Sequence, residues 1–402
     1  MRSFKTSVVA LLVTLTLAPA VAFAGQSGFV RWQAGQGDFS SWQRGGVALA
    51  ADGALQMDPQ TAVAGTDPYA AGAYNGGNFY NGGSFRVGEA LSPVMSAGFG
   101  FREALASWEA ETPTGTWVET QIRVQLSGVW TKWYNLGVWA ADYSTVKRHS
   151  AGSQSDTNAY VGIDTLVITN KKVSPTTFQL KVRLFSANGV AVPRVRASAV
   201  TVSTAPESSP AIFPGNSARW NTLLAVPECS QMVYPDGGNV WCSPTSVAMV
   251  LRYWAGDTTV GACETHVRTA LNGVYDWVFK GYGNWPFNTA YASTKGHQAH
   301  VTRFTSLAQL EPWIAAGVPA ILSVAWSSGQ LTGASIASTS GHLLVLVGFD
   351  AAGNPIINDP AASSDAAVQR TYLRSEFEPL WLRASAGTAY LIYPAGWQVP
   401  AL

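Results

Sequence analysis

Three cysteines, Cys229, Cys242 and Cys263, stand in a chain whose first residues read as an export leader. In an oxidising compartment three thiols close one disulfide and leave one over. Cys229 and Cys263 flank Cys242, and if they pair, the closed loop contributes roughly 3 to 4 kcal/mol in the chain-entropy picture. Cys242 is then the free thiol. It lies in Val240-Trp241-Cys242-Ser243-Pro244-Thr245-Ser246, just ahead of a predicted helix with Ser243 as cap and Pro244 at the first helical position. The positive end of a helix favours thiolate over thiol, and thiolate is the species that attacks an acyl carbon. The plainer reading is a small buried apolar cysteine.

A thiolate of this kind needs a base, and the chain has five histidines. His342 follows Ser338-Thr339-Ser340-Gly341 and opens the apolar strand Leu343-Leu344-Val345-Leu346-Val347-Gly348, so it is expected at the rim of a sheet. A turn at Ala351-Ala352-Gly353 folds this strand onto Pro355–Asp359 and brings the residue facing His342 to within two or three positions of Asp359. A carboxylate there holds an imidazole in one tautomer and stabilises its protonated form. Asn358 is the fallback, although a period of two turns it to the other face. An oxyanion would take hydrogen bonds from the backbone N–H of Cys242 and the side-chain amide of Gln231, in Glu228-Cys229-Ser230-Gln231-Met232. The other histidines are set aside. His297 and His300 read as a surface loop with no third ligand for a metal, His266 as an exposed helix turn, and His149 as part of a polar loop. No metal or cofactor is expected.

Two kinds of chain grammar must position these groups. From Gly28 to Ser203 the period is two: Val118, Thr120, Ile122, Val124 and Leu126 alternate with polar residues, as do Phe178, Leu180, Val182 and Leu184. Ser127-Gly128 makes a hairpin to a second strand, Val129–Ala140, and the whole of 25–203 is predicted to be an all-β antiparallel sandwich of jelly-roll type. A Ser/Pro/Ala-rich linker covers 204–216. From 217 to 402 the pattern becomes α+β. It holds a helix over Pro244–Trp254, a helix near Ala308 with Ser306 and Gln309 at capping-box spacing and Gly317 at its end, and a buried strand over Ala320–Trp326. Residues 1–24 carry Arg2 and Lys5, an apolar run, and Ala22-Phe23-Ala24, which is a signal peptide pattern. A secreted or periplasmic protein with no membrane span after cleavage is expected. Only 12% of residues are charged and the formal balance is +1, which supplies no basic field for nucleic acid.

Taken together, Ser-Gln, then Trp-Cys-Ser-Pro-Thr-Ser, then Gly-His-Leu-Leu-Val-Leu-Val-Gly-Phe, then Asn-Asp-Pro resemble the papain-fold cysteine peptidases of family thirty-nine type, relatives of the double-glycine peptidases that process bacteriocins. The resemblance covers roughly 221–394. It implies a papain-like fold, Gln231 at the oxyanion hole, Cys242 as nucleophile, His342 as base and Asp359 as its orienter, acting on a peptide or protein substrate through an acyl-enzyme. Ser243 stands where the transporter-linked members carry glycine, and Tyr234-Pro235-Asp236-Gly237-Gly238 lengthens the interval from Gln231 to Cys242. Two alternatives accompany this reading: a peptidoglycan endopeptidase or amidase, and a non-catalytic carbohydrate-binding or adhesion protein. Trp130, Trp133, Tyr134 and Trp139 of the sandwich form either a stacking platform for polysaccharide or ordinary core and rim.

Overall fold

The computed structural model describes residues 25–67, 83–152, 154–257, 259 and 262–402. The leader pattern of residues 1–24 lies outside them. The described residues form three antiparallel sheets, two in the N-terminal β-rich region and one among the helices of the C-terminal region.

In the N-terminal region the alternation is visible in burial. Ile122, Val124, Leu180 and Val182 are buried, while Gln121, Arg123, Lys181 and Arg183 are half-buried on the opposite face of paired strands Thr116–Leu126 and Thr177–Ser186. The hairpin at Ser127-Gly128 has both residues at positive φ, 49° and 83°, as a two-residue turn matched to strand twist requires. The strand expected over Val129–Ala140 is instead two pieces, Val129–Trp130 and Tyr134–Trp139. The ladder breaks between them, and again shifts register between Asn135 and Gly137. Gly137 has φ 155°, and a Cβ there would lie 3.2 Å from both Trp108 and Phe287, so glycine lets the C-terminal helix bearing Phe287 seat against this sheet. Trp139 is buried against the same Phe287 ring at 5.5 Å, not exposed on a platform. Trp130 and Trp133 carry Arg123 on their ring faces at 4.4 and 4.6 Å, and Lys181 lies over Trp133.

Strands Glu103–Glu111 and Arg194–Ser203 are buried almost throughout, with no alternation. Strands read this way when both faces are covered. One face meets the second sheet and the other meets the C-terminal region. There the edge strand His297–Arg303 finds side-chain partners for its unpaired backbone: Ala299 N–H donates to Glu109 Oε1 (2.9 Å), Val301 N–H to Ser107 Oγ (3.2 Å), and Thr201 Oγ1 to Val301 O (3.0 Å). Arg303 closes the row on Glu103 and Ser203. His297 and His300, expected on a surface loop, therefore lie on a docked strand, with His300 buried. His149 is also buried, bridged to Val138. His266 is exposed on a helix, near Asp257.

The C-terminal sheet has the order His297–Arg303, Thr388–Pro394, Ala320–Trp326, Thr339–Phe349, Pro355–Asn358, Gln369–Thr371. Helices α1 (Cys242–Trp254), α2 (Cys263–Val274) and α3 (Trp285–Thr294) share a core with Leu343, Val345 and Val347. Helices α4 (Glu311–Ala315) and α5 (Arg374–Ser385) share another with Leu344 and Leu346. The strand alternates between two apolar layers, which explains its unbroken apolar run. Before α4 the capping box does not form. Gln309 accepts from Thr305 N–H, and the buried Glu378 takes the Leu307 N–H instead. Gly317, at φ 80°, does end the segment.

Candidate active site

Helix α1 begins at Cys242 itself, two residues earlier than a Ser243 cap would place it, with Trp241 as its N-cap. Ser243 is already inside the first turn, and its hydroxyl meets Tyr390 Oη at 3.1 Å rather than capping. Pro244 is tolerated because the first N–H groups of a helix lack intrahelical partners in any case. The shift places the free thiol within the first turn, where the positive helix end acts most strongly.

His342 is 3% exposed and sits inside the ladder opposite Val324, not at a sheet rim. The strand starts three residues earlier, at Thr339, and Trp326 packs edge-on against the imidazole at 5.7 Å. The hairpin beyond it closes through Gly353 at φ 81°, with Val345 facing Asn358. That register sets Asp359 just past the strand end. Its Oδ1 lies 2.7 Å from His342 Nε2 and accepts from Ala361 N–H at 2.9 Å, while Oδ2 accepts from Tyr372 Oη at 2.7 Å. Asn358 points to the other face and donates to Val226 O.

With Nε2 committed to Asp359, the ring nitrogen left for the hydrogen bond between His342 and the Cys242 sulfur is Nδ1. The electrostatics follow. Burial pushes the Cys242 thiol up, but the hydrogen bond and charge of His342, aided by the backbone of Leu343 and Ser243, outweigh it and bring it below its ordinary value. Burial pulls His342 down, yet the Asp359 carboxylate and the sulfur raise it to about 10. Burial likewise raises Asp359, and the imidazole and Tyr372 bring it down to about 2. All three shifts run in the direction of a thiolate–imidazolium pair beside an ionised carboxylate.

Gln231 is 2% exposed and lines the same cleft as Cys242 and His342, a space of about 710 Å³. Its Nε2 donates one hydrogen to Gly238 O at 2.7 Å, leaving the amide a second. The insertion Tyr234–Gly238 folds back over it, and a Cβ on Gly238 would collide with Gln231 O. Gln231 N–H donates to Pro360 O, so this segment is tied to the Asp359 loop. The disulfide Cys229–Cys263 fastens it to α2.

The family model of the Peptidase C39 N-terminal domain matches residues 29–203, and that of the Peptidase_C39 like family matches residues 223–389. The chain belongs to the C39-type cysteine peptidases. No curated protein matches it. Among solved structures, a family two carbohydrate esterase from Cellvibrio japonicus aligns at 11% identity with a TM-score of 0.18, over 58% of this chain and 52% of that one, so the chain spans about half the length of that structure. That likeness carries no argument about fold or chemistry.

Three features of this C39-type chain were not read from sequence. Tyr372 holds the outer oxygen of Asp359, Trp326 shields the imidazole, and the segment Phe279–Gly283 with Trp285 forms a wall of the cleft. A hydroxyl thirteen residues after Asp359 in the chain has no local signature. Among the described residues no group of three or more His, Cys, Asp or Glu is placed to hold a metal, and no helix is long and apolar enough to cross a membrane.

Proposed function

We propose that this protein is an exported cysteine peptidase of papain-like fold that hydrolyses peptide bonds with Cys242, His342 and Asp359 as its triad. The observation that carries the proposal is the pairing at His342: carboxylate on one ring nitrogen, thiol on the other, at the floor of a cleft. The disulfide and the leader pattern support export.

The chemistry runs as follows. The Cys242 thiolate forms a C–S bond to the scissile carbonyl carbon, and the carbonyl π pair moves to oxygen. The oxyanion takes hydrogen bonds from the Cys242 N–H and the second amide hydrogen of Gln231. Collapse breaks the C–N bond, and the departing amine takes the proton from the His342 imidazolium. His342, now neutral, removes a proton from water, which attacks the thioester and releases the acid as thiolate returns. Asp359 keeps the imidazole in one orientation throughout. The sign of the pH dependence is fixed: activity rises through the lowered Cys242 pKa and falls as His342 deprotonates at about 10.

The test uses folded wild type and Cys242→Ala, with iodoacetamide labelling and three substrates: an unfolded protein, short peptides and purified cell-wall material. Labelling confined to Cys242 at near-neutral pH, with peptide or protein cleavage lost in Cys242→Ala, is expected. Cleavage of wall material alone moves the assignment to a peptidoglycan hydrolase. Equal behaviour of the two proteins on every substrate removes the enzymatic reading.

A further inference from the structure

The cleft wall formed by Phe279–Gly283 is built on the buried carboxylate of Asp276. Asp276 Oδ1 accepts from the N–H groups of Val278 and Phe279, both at 3.0 Å, and Oδ2 accepts from Asn284 Nδ2 at 2.9 Å. The turn closes with Asp276 N–H on Gly281 O and Lys280 N–H on Asp276 O, and Lys280 adopts a left-handed φ of 55°. So strained a non-glycine position persists only where its surroundings fix it.

Those surroundings belong to the N-terminal region. The same Asp276 Oδ1 accepts from Ser150 N–H at 3.0 Å and Ser150 Oγ at 3.3 Å. Trp277 N–H donates to Arg148 O, and Lys147 Nζ lies 4.5 Å over the Trp277 ring. The buried Arg148 side chain ties Ala140 O and Ala141 O to Asn272 O at the end of α2. At the other end of the turn, Asp164 Oδ2 accepts the Trp285 N–H at 2.7 Å, holding the first residue of α3. Both ends of the segment that walls the cleft are therefore fastened to residues 147–164. An accessory module on a flexible tether would show no such bonds.

The wall so held presents Phe279, 43% exposed, to the cleft. Met232 and Val240, 43% and 59% exposed, line the same cleft. Exposed apolar side chains beside a reactive thiol suit an apolar residue of a bound peptide.

We propose that the N-terminal region is a built-in part of the substrate site: Ser150, acting through Asp276, is a positioning residue that presents Phe279 as the wall of an apolar subsite next to the scissile bond. This rests on the peptidase reading above. It makes the substrate class a peptide with a bulky apolar side chain beside the bond cut.

The experiment compares wild type, Ser150→Ala, Asp276→Asn and Phe279→Ala on two peptides that differ only in Leu or Gly flanking the cleaved bond. Wild type should prefer the Leu peptide at least about tenfold in kcat/KM. Phe279→Ala and Ser150→Ala should raise KM for the Leu peptide several-fold more than for the Gly peptide, without moving the pH profile or slowing iodoacetamide labelling of Cys242. Ser150→Ala added to Phe279→Ala should have little further effect, because both act on one wall. Asp276→Asn should behave like Ser150→Ala but more strongly; if it fails to fold, the milder Ser150→Ala and Phe279→Ala decide. Equal losses on both peptides, or no KM change in Ser150→Ala and Phe279→Ala, overturn the proposal while leaving the peptidase intact. Cleavage of neither peptide, nor of an unfolded protein, by a wild type whose Cys242 labels normally overturns both.

Discussion

His342 and His300 are both withdrawn from solvent, 3% and 2% exposed, and their surroundings drive them in opposite directions. At His342 burial favours the neutral ring, but the Asp359 carboxylate and the Cys242 sulfur reverse this and raise it to about 10. At His300 nothing reverses it. The ring lies between Phe29 (4.9 Å) and Tyr393 (5.9 Å), and neither ring nitrogen has a hydrogen-bond partner among the described residues. Burial is the main cause of its strong depression, and the Arg31 guanidinium adds to it. Arg31 is itself occupied by Glu109 and Tyr393. One histidine is pushed toward its charged form between a carboxylate and a thiol; the other is pushed toward a neutral ring packed between two regions of the chain. What separates them is their charged neighbours, the Asp359 carboxylate first among them, and not depth.

Removing the charged histidine should have the largest effect. His342→Ala is expected to lower kcat/KM by up to about 10⁴-fold, the upper end of what general acid–base help supplies, and to slow iodoacetamide labelling of Cys242 at pH 6. A fully reactive thiol in that variant would show that His342 does not sustain the thiolate. Asp359→Asn tests the carboxylate directly. It keeps a hydrogen-bonding group of the same size but removes the charge that raises His342, so the alkaline limb of the rate profile should move down from about 10 by more than one pH unit. Activity at the optimum should fall on the order of 10²-fold. An unmoved alkaline limb would make the two histidines differ for some other reason.

Much of the Cys242–His342–Asp359 cluster was legible because its parts are carried by local pattern. The Ala351-Ala352-Gly353 turn and the apolar run from Leu343 placed Asp359 close to His342, and three cysteines with two flanking the third singled out Cys242. The alternation around Ile122 and Leu180 likewise gave the paired strands of the N-terminal region. The docking of the two regions was not legible. His300 looked like a loop residue, yet its strand is held by Glu109, Ser107 and Thr201, roughly 100 to 190 positions away in the chain. Period-two patterning reports which face is buried and not what buries it. For the same reason the pattern left Trp139 either as ordinary sandwich core, the more usual role, or as part of a platform, and it is the Phe287 ring of α3 that buries it.

The smallest predicted effect tests the neutral histidine. With its folded-state pKa depressed, His300 stays unprotonated in the native protein while the unfolded chain takes up a proton below about 6.5. The unfolded state then binds more protons, so this group lowers stability as pH falls, by at most about 1.4 kcal/mol between pH 7.5 and 5.5. His300→Phe fits a slot already lined by Phe29 and Tyr393 and has nothing to protonate. Urea unfolding of both proteins at the two pH values should show the variant losing less stability on acidification, by up to that amount, with peptide cleavage at pH 7.5 unchanged. An identical loss in the two proteins would mean that His300 already carries its proton or finds a partner when folded, and the contrast with His342 would no longer hold. A loss of cleavage in His300→Phe at pH 7.5 would instead place the packing of this strand, and through it the fit between the two regions, among the conditions for activity.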